Sequence, residues 1–70
     1  MDIQKLMTPA QKKVIDAVIA DPGQYDNSEL VEILVRWGSD RSSAEETVGE
    51  LIRERCIVIT QIGGYRSNLD

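Results

Sequence analysis

The side chains that could do chemistry are acids, arginines and serines, and they gather between Arg41 and Arg66. Histidine is absent from the chain and cysteine occurs once, at Cys56. A Ser/His/Asp or Cys/His catalytic group is therefore impossible, and no phosphate-binding loop motif occurs. Paired carboxylates on an exposed helix also lack the pocket that tunes an acid and a base. We therefore expect a binding protein and not an enzyme, without a metal or a cofactor.

Charge and hydropathy narrow the class of partner. Lysine and arginine total 8 against 12 for aspartate and glutamate, which gives a net charge of -4. This acidity disfavours nonspecific attraction to DNA, RNA or anionic lipid, although local patches matter more than totals. The N-terminal stretch lacks the apolar run of a signal peptide, and no segment approaches the ~20 apolar residues that cross a bilayer. We expect a cytoplasmic protein without membrane contact.

A chain of 70 residues can form at most one domain with a small hydrophobic core. We expect residues 1–70 to form this single domain, with residues 1–7 as an extension before the first helix. One cysteine without histidine provides neither a disulfide nor a metal site to stabilise it. Tight helix packing or self-association must stabilise the fold instead, which favours a dimer.

The first helix is predicted to begin after Thr8. Thr8 and Gln11 form a capping-box sequence, and Pro9 occupies the first helical position, where proline is favoured. Asp21-Pro22-Gly23 ends the helix, because proline disfavours helical backbone in the residue before it and glycine accepts turn geometry. One stripe of this helix is apolar and comprises Val14, Ile15, Val18 and Ile19.

The second helix is predicted to begin at the capping-box pair Asp26 and Glu29 and to end at Gly38. Apolar side chains fill roughly 200° of its circumference, which is wider than one core contact needs. Ile33 and Trp37 lie on this excess arc and can form a dimer patch or cover the base of a following hairpin. Membership of the core is the simpler expectation for both.

The third helix is predicted from about Ser42 to Arg55. Ser42 and Ser43 can cap its start or contact a phosphate there. Gly49 costs about 1 kcal/mol in mid-helix relative to alanine, so either a partner approaches closely or a neighbouring helix packs tightly against it. The inner face holds Ala44, Val48, Leu51 and Ile52, and the outer face holds Glu46, Gly49, Glu50 and Arg53.

A β-hairpin is predicted to follow the third helix. The segment "CIVITQI" is β-branched and apolar enough for a strand, Gly63-Gly64 suits a tight turn, and "YRSNL" can return as its partner. Cys56, at the start of the first strand, can act as a redox sensor or as a small buried apolar side chain. The second interpretation is the expected one.

Three helices followed by a hairpin, with a short polar turn between the second and third helix, resemble the winged helix-turn-helix domain. The resemblance covers about Thr8 to Leu69 and is carried by "SELVEILVRWGSDRSSAEETVGELIRERCIVI", with "IGGYRSNL" similar to the wing. It implies an α+β fold in which the third helix enters the major groove of DNA by its N-terminal half and the wing lies along the backbone or minor groove.

The resemblance also implies which residues contact DNA. It places Ser42, Ser43, Glu46, Gly49, Glu50 and Arg53 at the contact face of the third helix, and Tyr65, Arg66 and Ser67 on the wing. Arg41, Arg53 and Arg66 can supply phosphate contacts. The glutamates depart from the family pattern, because a helix that reads DNA usually presents basic or neutral polar side chains.

We therefore expect sequence-specific binding of double-stranded DNA by a small transcriptional regulator. The alternative is a winged helix that binds another protein, with its acidic third helix on a basic partner surface. A homodimer is expected in either case, and its predicted interface residues are Ile3, Leu6, Ile33 and Trp37.

Overall fold

A computed structural model describes residues 7–68, which form three helices followed by a two-stranded antiparallel hairpin. The predicted α+β class and the order of the elements are confirmed. The elements are α1 (Pro9–Ala20), α2 (Asn27–Trp37), α3 (Arg41–Arg53), β1 (Ile57–Ile59) and β2 (Tyr65–Ser67).

The start of α1 is a complete capping box, as predicted. The Gln11 N–H donates to Thr8 Oγ1 at 3.1 Å, and the Thr8 N–H donates to Gln11 Oε1 at 3.0 Å. Two backbone donors that the helix cannot satisfy by itself are thereby paired. Ile19 departs from the prediction, because it is 50% exposed although it belongs to the apolar stripe.

The predicted limits of α2 are also confirmed. Asp26 Oδ1 accepts from the Glu29 N–H at 2.9 Å, and Glu29 Oε1 accepts from the Asp26 N–H at 3.1 Å. At the other end Gly38 has φ 125°, and its N–H donates to the carbonyl oxygens of Leu34 and Val35. Glycine adopts such a φ without the steric cost of a side chain, so the helix ends there.

The start of α3 differs by one residue from the prediction. Its N-cap is Asp40, whose Oδ2 accepts from the Ser43 N–H at 3.1 Å, and Arg41 is the first helical residue. Ser42 and Ser43 therefore lie in the first turn, so the prediction that they cap the helix is wrong. Aspartate is as good a cap as serine, and its position before Arg41 decides where the helix begins.

The end of α3 falls at Arg53 and not at the predicted Arg55. Arg55 has φ 60°, in the left-handed region. Its N–H donates to the Ile52 carbonyl, and the Cys56 N–H donates to the Leu51 carbonyl. This pair of bonds is the Schellman arrangement, which normally has glycine at the left-handed position. Because arginine stands where glycine is usual, the sequence did not reveal that the helix ends there.

The hairpin pairs Ile57 with Ser67, Val58 with Arg66 and Ile59 with Tyr65. Each strand has three residues, so the predicted strands from Cys56 to Ile62 and from Tyr65 to Leu69 were too long. The chain leaves the β ladder at the turn, and Leu69 lies outside the described residues.

The hairpin is fixed to the connection between α1 and α2. The Gly23 N–H donates to the Tyr65 carbonyl at 2.9 Å, and the Tyr65 N–H donates to the Tyr25 carbonyl at 2.8 Å. Gly64 lies so close to Gly23 that a Cβ on Gly64 would overlap the Gly23 carbonyl group. Gly64 is therefore required by the close approach of two backbones.

One hydrophobic core joins the three helices to the base of the hairpin. Its buried members are Val14, Ile15, Val18, Leu30, Val31, Leu34, Ala44, Val48, Leu51 and Ile57. Met7 is half-buried and packs against this core, so ordered packing begins within the predicted extension.

The two residues on the excess arc of α2 have different environments. Ile33 is half-buried and packs against the core, as expected. Trp37 is 47% exposed, so the expectation that it joins the core is wrong. It lies in the last turn of α2, beyond the buried Leu34, where the chain turns towards α3. Ile3 and Leu6, the other predicted interface residues, lie outside the described residues.

Candidate nucleic-acid interface

The outer face of α3 is uncovered by the rest of residues 7–68. Ser42, Glu46 and Arg53 are exposed and recur at helical spacing with Gly49 between them. They lie opposite the buried side chains of the same helix, as the sequence pattern predicted. Arg53 has no ion pair with any described residue. The face therefore offers a hydroxyl, a carboxylate and a guanidinium to a partner.

Gly49 does not serve close packing within the described chain. Apart from its chain neighbours and the backbone of its own helix, no heavy atom lies within 4 Å of the position that a Cβ would occupy there. The helix thus carries a residue that costs about 1 kcal/mol relative to alanine without a packing gain. Of the two interpretations that the sequence left open, packing against a neighbouring helix is wrong. Close approach by a partner stays a prediction.

The three glutamates of α3 have different surroundings. Glu45 and Glu46 are exposed, whereas Glu50 is half-buried on the side that meets α1. There Gln11 Nε2 donates to Glu50 Oε1 at 3.4 Å. Glu50 is thus partly engaged by the fold, and Glu46 lies nearest the centre of the outer face.

Arg41 lies on the flank of α3 that meets α2. Its Nη2 donates to Glu32 Oε1 at 2.8 Å, in the one ion pair that residues 7–68 contain. The hydrogen bond from Arg41 lowers the pKa of Glu32, and the same contact raises the pKa of Arg41. Glu45 lies close enough to add to the second effect. Arg41 can contact a phosphate only by exchanging this partner.

The N-terminus of α3 already holds a negative charge. The Ser43 backbone N–H and its hydroxyl bond to Asp40 and lower the pKa of that carboxyl group. The carboxylate thus occupies the position that an external anion would take at the start of a helix. A phosphate contact from Ser42 or Ser43 must come from their side chains.

The predicted wing residues divide between fold and surface. Tyr65 is half-buried and packs against the core, and Ser67 is buried at 6% exposure. Arg66 is exposed on the other face of the strand, with Nη1 3.5 Å from the Ser67 carbonyl. It borders a small hollow beside Ile19 and Pro22. Among the three, Arg66 is the side chain most available to a partner.

The hairpin differs from the helices in charge, a feature that the predictions from the sequence did not include. Residues 55–68, which we call the hairpin segment, contain Arg55 and Arg66 and no carboxylate. Residues 7–54, the helical segment, contain ten carboxylates and five basic side chains. The sequence shows this difference directly, since no aspartate or glutamate occurs between residues 55 and 68. The net charge of the whole chain concealed it.

The hairpin segment also carries exposed apolar side chains. Ile59 is 59% exposed and Ile62, in the turn, is 78% exposed. Gln61 and Gly63 beside Ile62 are exposed as well. The hairpin segment of this acidic protein is therefore basic and exposes apolar side chains at and near its turn.

Cys56 is half-buried and packs against the core at the junction of α3 and β1. Burial is the larger cause of a raised thiol pKa, and the charge of Glu54 adds to it. A raised pKa disfavours the reactive thiolate. The expectation of a packing role is confirmed.

Within residues 7–68, no three or more His, Cys, Asp or Glu side chains could together hold a metal ion. None of the helices described is long and apolar enough to cross a membrane. A shallow groove of about 270 Å³ lies along α2 and is lined in part by Tyr25, Glu29, Glu32 and Ile33.

Comparison of the chain with protein-family models, with curated proteins and with solved structures found no match.

Proposed function

We propose that this protein is a small winged-helix regulator that binds double-stranded DNA in a sequence-specific manner. In this proposal α3 enters the major groove, and the hairpin contacts the DNA beside it. Arg53 and Arg66 neutralise phosphates, and Ser42, Ser43 and Glu46 lie towards base edges and the backbone.

The observation that carries the proposal is the uncovered outer face of α3 with Gly49 at its centre. The helices α1 and α2, with β1, bury the opposite face, so α3 is held firmly while its outer face stays accessible. The open space above Gly49 permits a sugar–phosphate backbone or a base edge to approach the helix axis. A rigid helix that projects polar side chains is the element that the major groove admits.

The acidity of α3 reduces affinity without preventing binding. A carboxylate about 10 Å from one phosphate loses only ~0.4 kcal/mol in water, although it meets several phosphates and loses more in a drier groove. Glu46 can also accept a hydrogen bond from the amino group of cytosine, which would convert the cost into sequence preference. Glu50 contributes less, because Gln11 partly engages it.

The test is a titration of labelled duplexes at two salt concentrations. Arg53→Gln should weaken binding and reduce the salt dependence by about one phosphate contact. Arg36→Gln is the matched control, because Arg36 is exposed on α2 and the change removes the same charge. Glu46→Gln should strengthen nonspecific binding, with Asp16→Asn on α1 as its control. Selection from a random-sequence pool then measures specificity.

The outcomes separate clearly. If Arg53→Gln and Arg36→Gln lower affinity equally, the effect is one of net charge and α3 is not the contact surface. If the wild-type protein shifts no duplex at low salt, and Glu46→Gln/Glu50→Gln shifts none either, DNA binding is rejected.

A second function, binding to a basic protein, is favoured by Glu45 and Glu46. Both are exposed and have no ion pair with any residue between 7 and 68. Carboxylates on such a face would speed encounter with a basic partner at low salt. Neutralising them would then slow association with that partner, which is the opposite of the effect expected with DNA.

The proposal includes a homodimer. Trp37 is half-exposed, and Ile33 lies one helical turn before it, so the two can form one strip on α2. We expect sedimentation at micromolar concentration to show a dimer, and Trp37→Ser to shift the equilibrium towards monomer. A wild-type monomer across that range would reject this interface.

A further inference from the structure

The hairpin turn carries Ile62, which is the most exposed large apolar side chain in residues 7–68. Ile62 is 78% exposed, although hairpin turns are usually built from glycine and short polar residues. The end of its side chain leans towards Gly23, since Ile62 Cδ1 would lie 3.1 Å from a Cβ on that residue. A side chain so exposed contributes little to the stability of the fold, and it is therefore available to a partner.

The turn that carries Ile62 is held in one conformation. The Thr60 N–H donates to the Gly64 carbonyl at 2.8 Å, and the Gly63 N–H donates to the Thr60 carbonyl at 3.1 Å. Gly64 is in turn seated against the Gly23 backbone. The backbone of so constrained a turn loses little conformational freedom when Ile62 inserts into a partner.

The electrostatic surroundings indicate a polyanionic partner. The hairpin segment has two arginines and no carboxylate within a chain of net charge -4. The carboxylates that border the turn are those of Asp26 and Glu29, which line a shallow groove with Ile62. Both accept backbone N–H groups at the start of α2, so the fold already uses them there. These two carboxylates keep their charge, but the hairpin segment itself has two arginines and no acid, whereas α3 has three glutamates against two arginines. Phosphates are therefore repelled less by the hairpin than by α3.

We propose that the hairpin enters the minor groove of duplex DNA and that Ile62 inserts there as an apolar wedge at a base step. This inference rests on the proposed function and deepens it, because it assigns to Ile62 a deformation of the duplex. Isoleucine is among the side chains that unstack base steps and kink DNA from the minor groove. Gln61, beside it, can donate to the acceptors on A·T edges, and Arg66 neutralises a flanking phosphate.

The first test measures unstacking directly. Duplexes carrying 2-aminopurine at successive steps should gain fluorescence at one step when the wild-type protein binds. Ile62→Ser should abolish the gain and weaken binding about tenfold, while Ile62→Leu should retain both properties. Ile19→Ser is the matched control, since Ile19 is a half-exposed isoleucine on α1. Unchanged thermal unfolding of the variants verifies that they are folded.

A second test distinguishes the grooves. Replacing A·T pairs by inosine·cytosine pairs preserves the minor-groove edge and changes the major-groove edge. At the step that the hairpin occupies, this replacement should leave affinity and fluorescence gain unchanged. At the steps that α3 occupies, it should lower affinity. The opposite pattern would overturn the assignment of the hairpin to the minor groove.

The remaining outcomes separate the wedge from the proposed function. If the wild-type protein binds duplex DNA, but Ile62→Ser binds as well as Ile19→Ser and no fluorescence gain occurs, the wedge is rejected and DNA binding stands. If the wild-type protein binds no duplex, both are rejected. Ile62-dependent binding to phosphatidylglycerol vesicles without DNA binding would assign the tip to a lipid surface and overturn the inference.

Discussion

The helical segment and the hairpin segment are stabilised by different means. Nine of the ten buried apolar side chains belong to the helical segment, and Ile57 alone belongs to the hairpin. The hairpin is held instead by backbone hydrogen bonds to the α1–α2 connection and by the contact of Gly64 with Gly23. One region is stable because side chains are buried, and the other because two backbones approach each other closely.

The two segments also differ in surface chemistry. The helical segment is acidic, whereas the hairpin segment is basic and exposes Ile59 and Ile62. A hairpin that needs few buried side chains can place its side chains outside at little cost to stability. The helices thus contain most of the buried core, and the hairpin leaves most of its side chains at least partly exposed.

The largest expected effect tests how the hairpin is held. Gly64→Ala should lower the free energy of unfolding by about 3 kcal/mol, because the new Cβ overlaps the Gly23 carbonyl and the backbones must separate. Gly49→Ala is the control, since it meets open space in a helix and should raise stability by about 1 kcal/mol. Urea denaturation measures both. Equal effects of the two substitutions would contradict the comparison.

The next prediction concerns Thr60 Oγ1. It is the one buried side-chain oxygen or nitrogen in residues 7–68 that lacks a hydrogen-bond partner. Thr60→Val removes the hydroxyl while keeping the shape, so stability should rise by about 1 kcal/mol. Thr60→Ser keeps the hydroxyl, loses a methyl group and should be destabilising. Calorimetric unfolding measures the pair. A loss of stability in the valine variant would mean that the hydroxyl has a partner.

Arg55 lies where the two segments meet and offers a smaller effect. Arg55→Gly should raise stability by up to about 1 kcal/mol, because glycine adopts φ 60° without the steric cost of a side chain. Arg55→Ala should not, since alanine keeps that cost. Both variants should lose DNA affinity equally if the charge of the hairpin segment matters. Equal stability of the two variants would show that the left-handed backbone carries no penalty.

The smallest effect belongs to the exposed pair of Arg41 and Glu32. The pKa of Glu32 is lower in the folded protein than in the unfolded chain. The ion pair therefore contributes to stability at any pH above the unfolded pKa of glutamate, about 4.3. This contribution is lost as the pH falls through the lower folded value. A double-mutant cycle with Arg41→Gln and Glu32→Gln should show coupling at neutral pH that disappears once the pH is below the folded pKa of Glu32. Coupling that persists in acid would indicate a contact other than the ion pair.

Local signals in the sequence determined most of the helical segment. The capping boxes at Thr8 and Asp26 act within four residues, and so does the glycine that ends α2. Apolar spacing predicted the buried faces of α1 and α3 apart from Ile19. Such features depend on neighbours along the chain, so they can be recognised without knowledge of the fold.

The end of α3 and the length of the strands were not determined locally. Arg55 carries no sequence mark of a left-handed residue, and only the surrounding bonds impose that conformation on it. The strands are short because the hairpin turn packs against the α1–α2 connection. That connection precedes the turn by about 40 residues in the sequence. The exposure of Trp37 likewise depends on how α2 and α3 pack.

The candidate site shows the same division. The sequence by itself determined that α3 would present Ser42, Glu46, Gly49 and Arg53 together, because helical periodicity alone groups them. It also contained the carboxylate-free hairpin segment. Only the tertiary structure decided that Arg41 pairs with Glu32, that Gly49 faces open space and that Ile62 projects from a fixed turn. The physical reason is that contacts between elements distant in sequence depend on packing, which periodicity cannot specify.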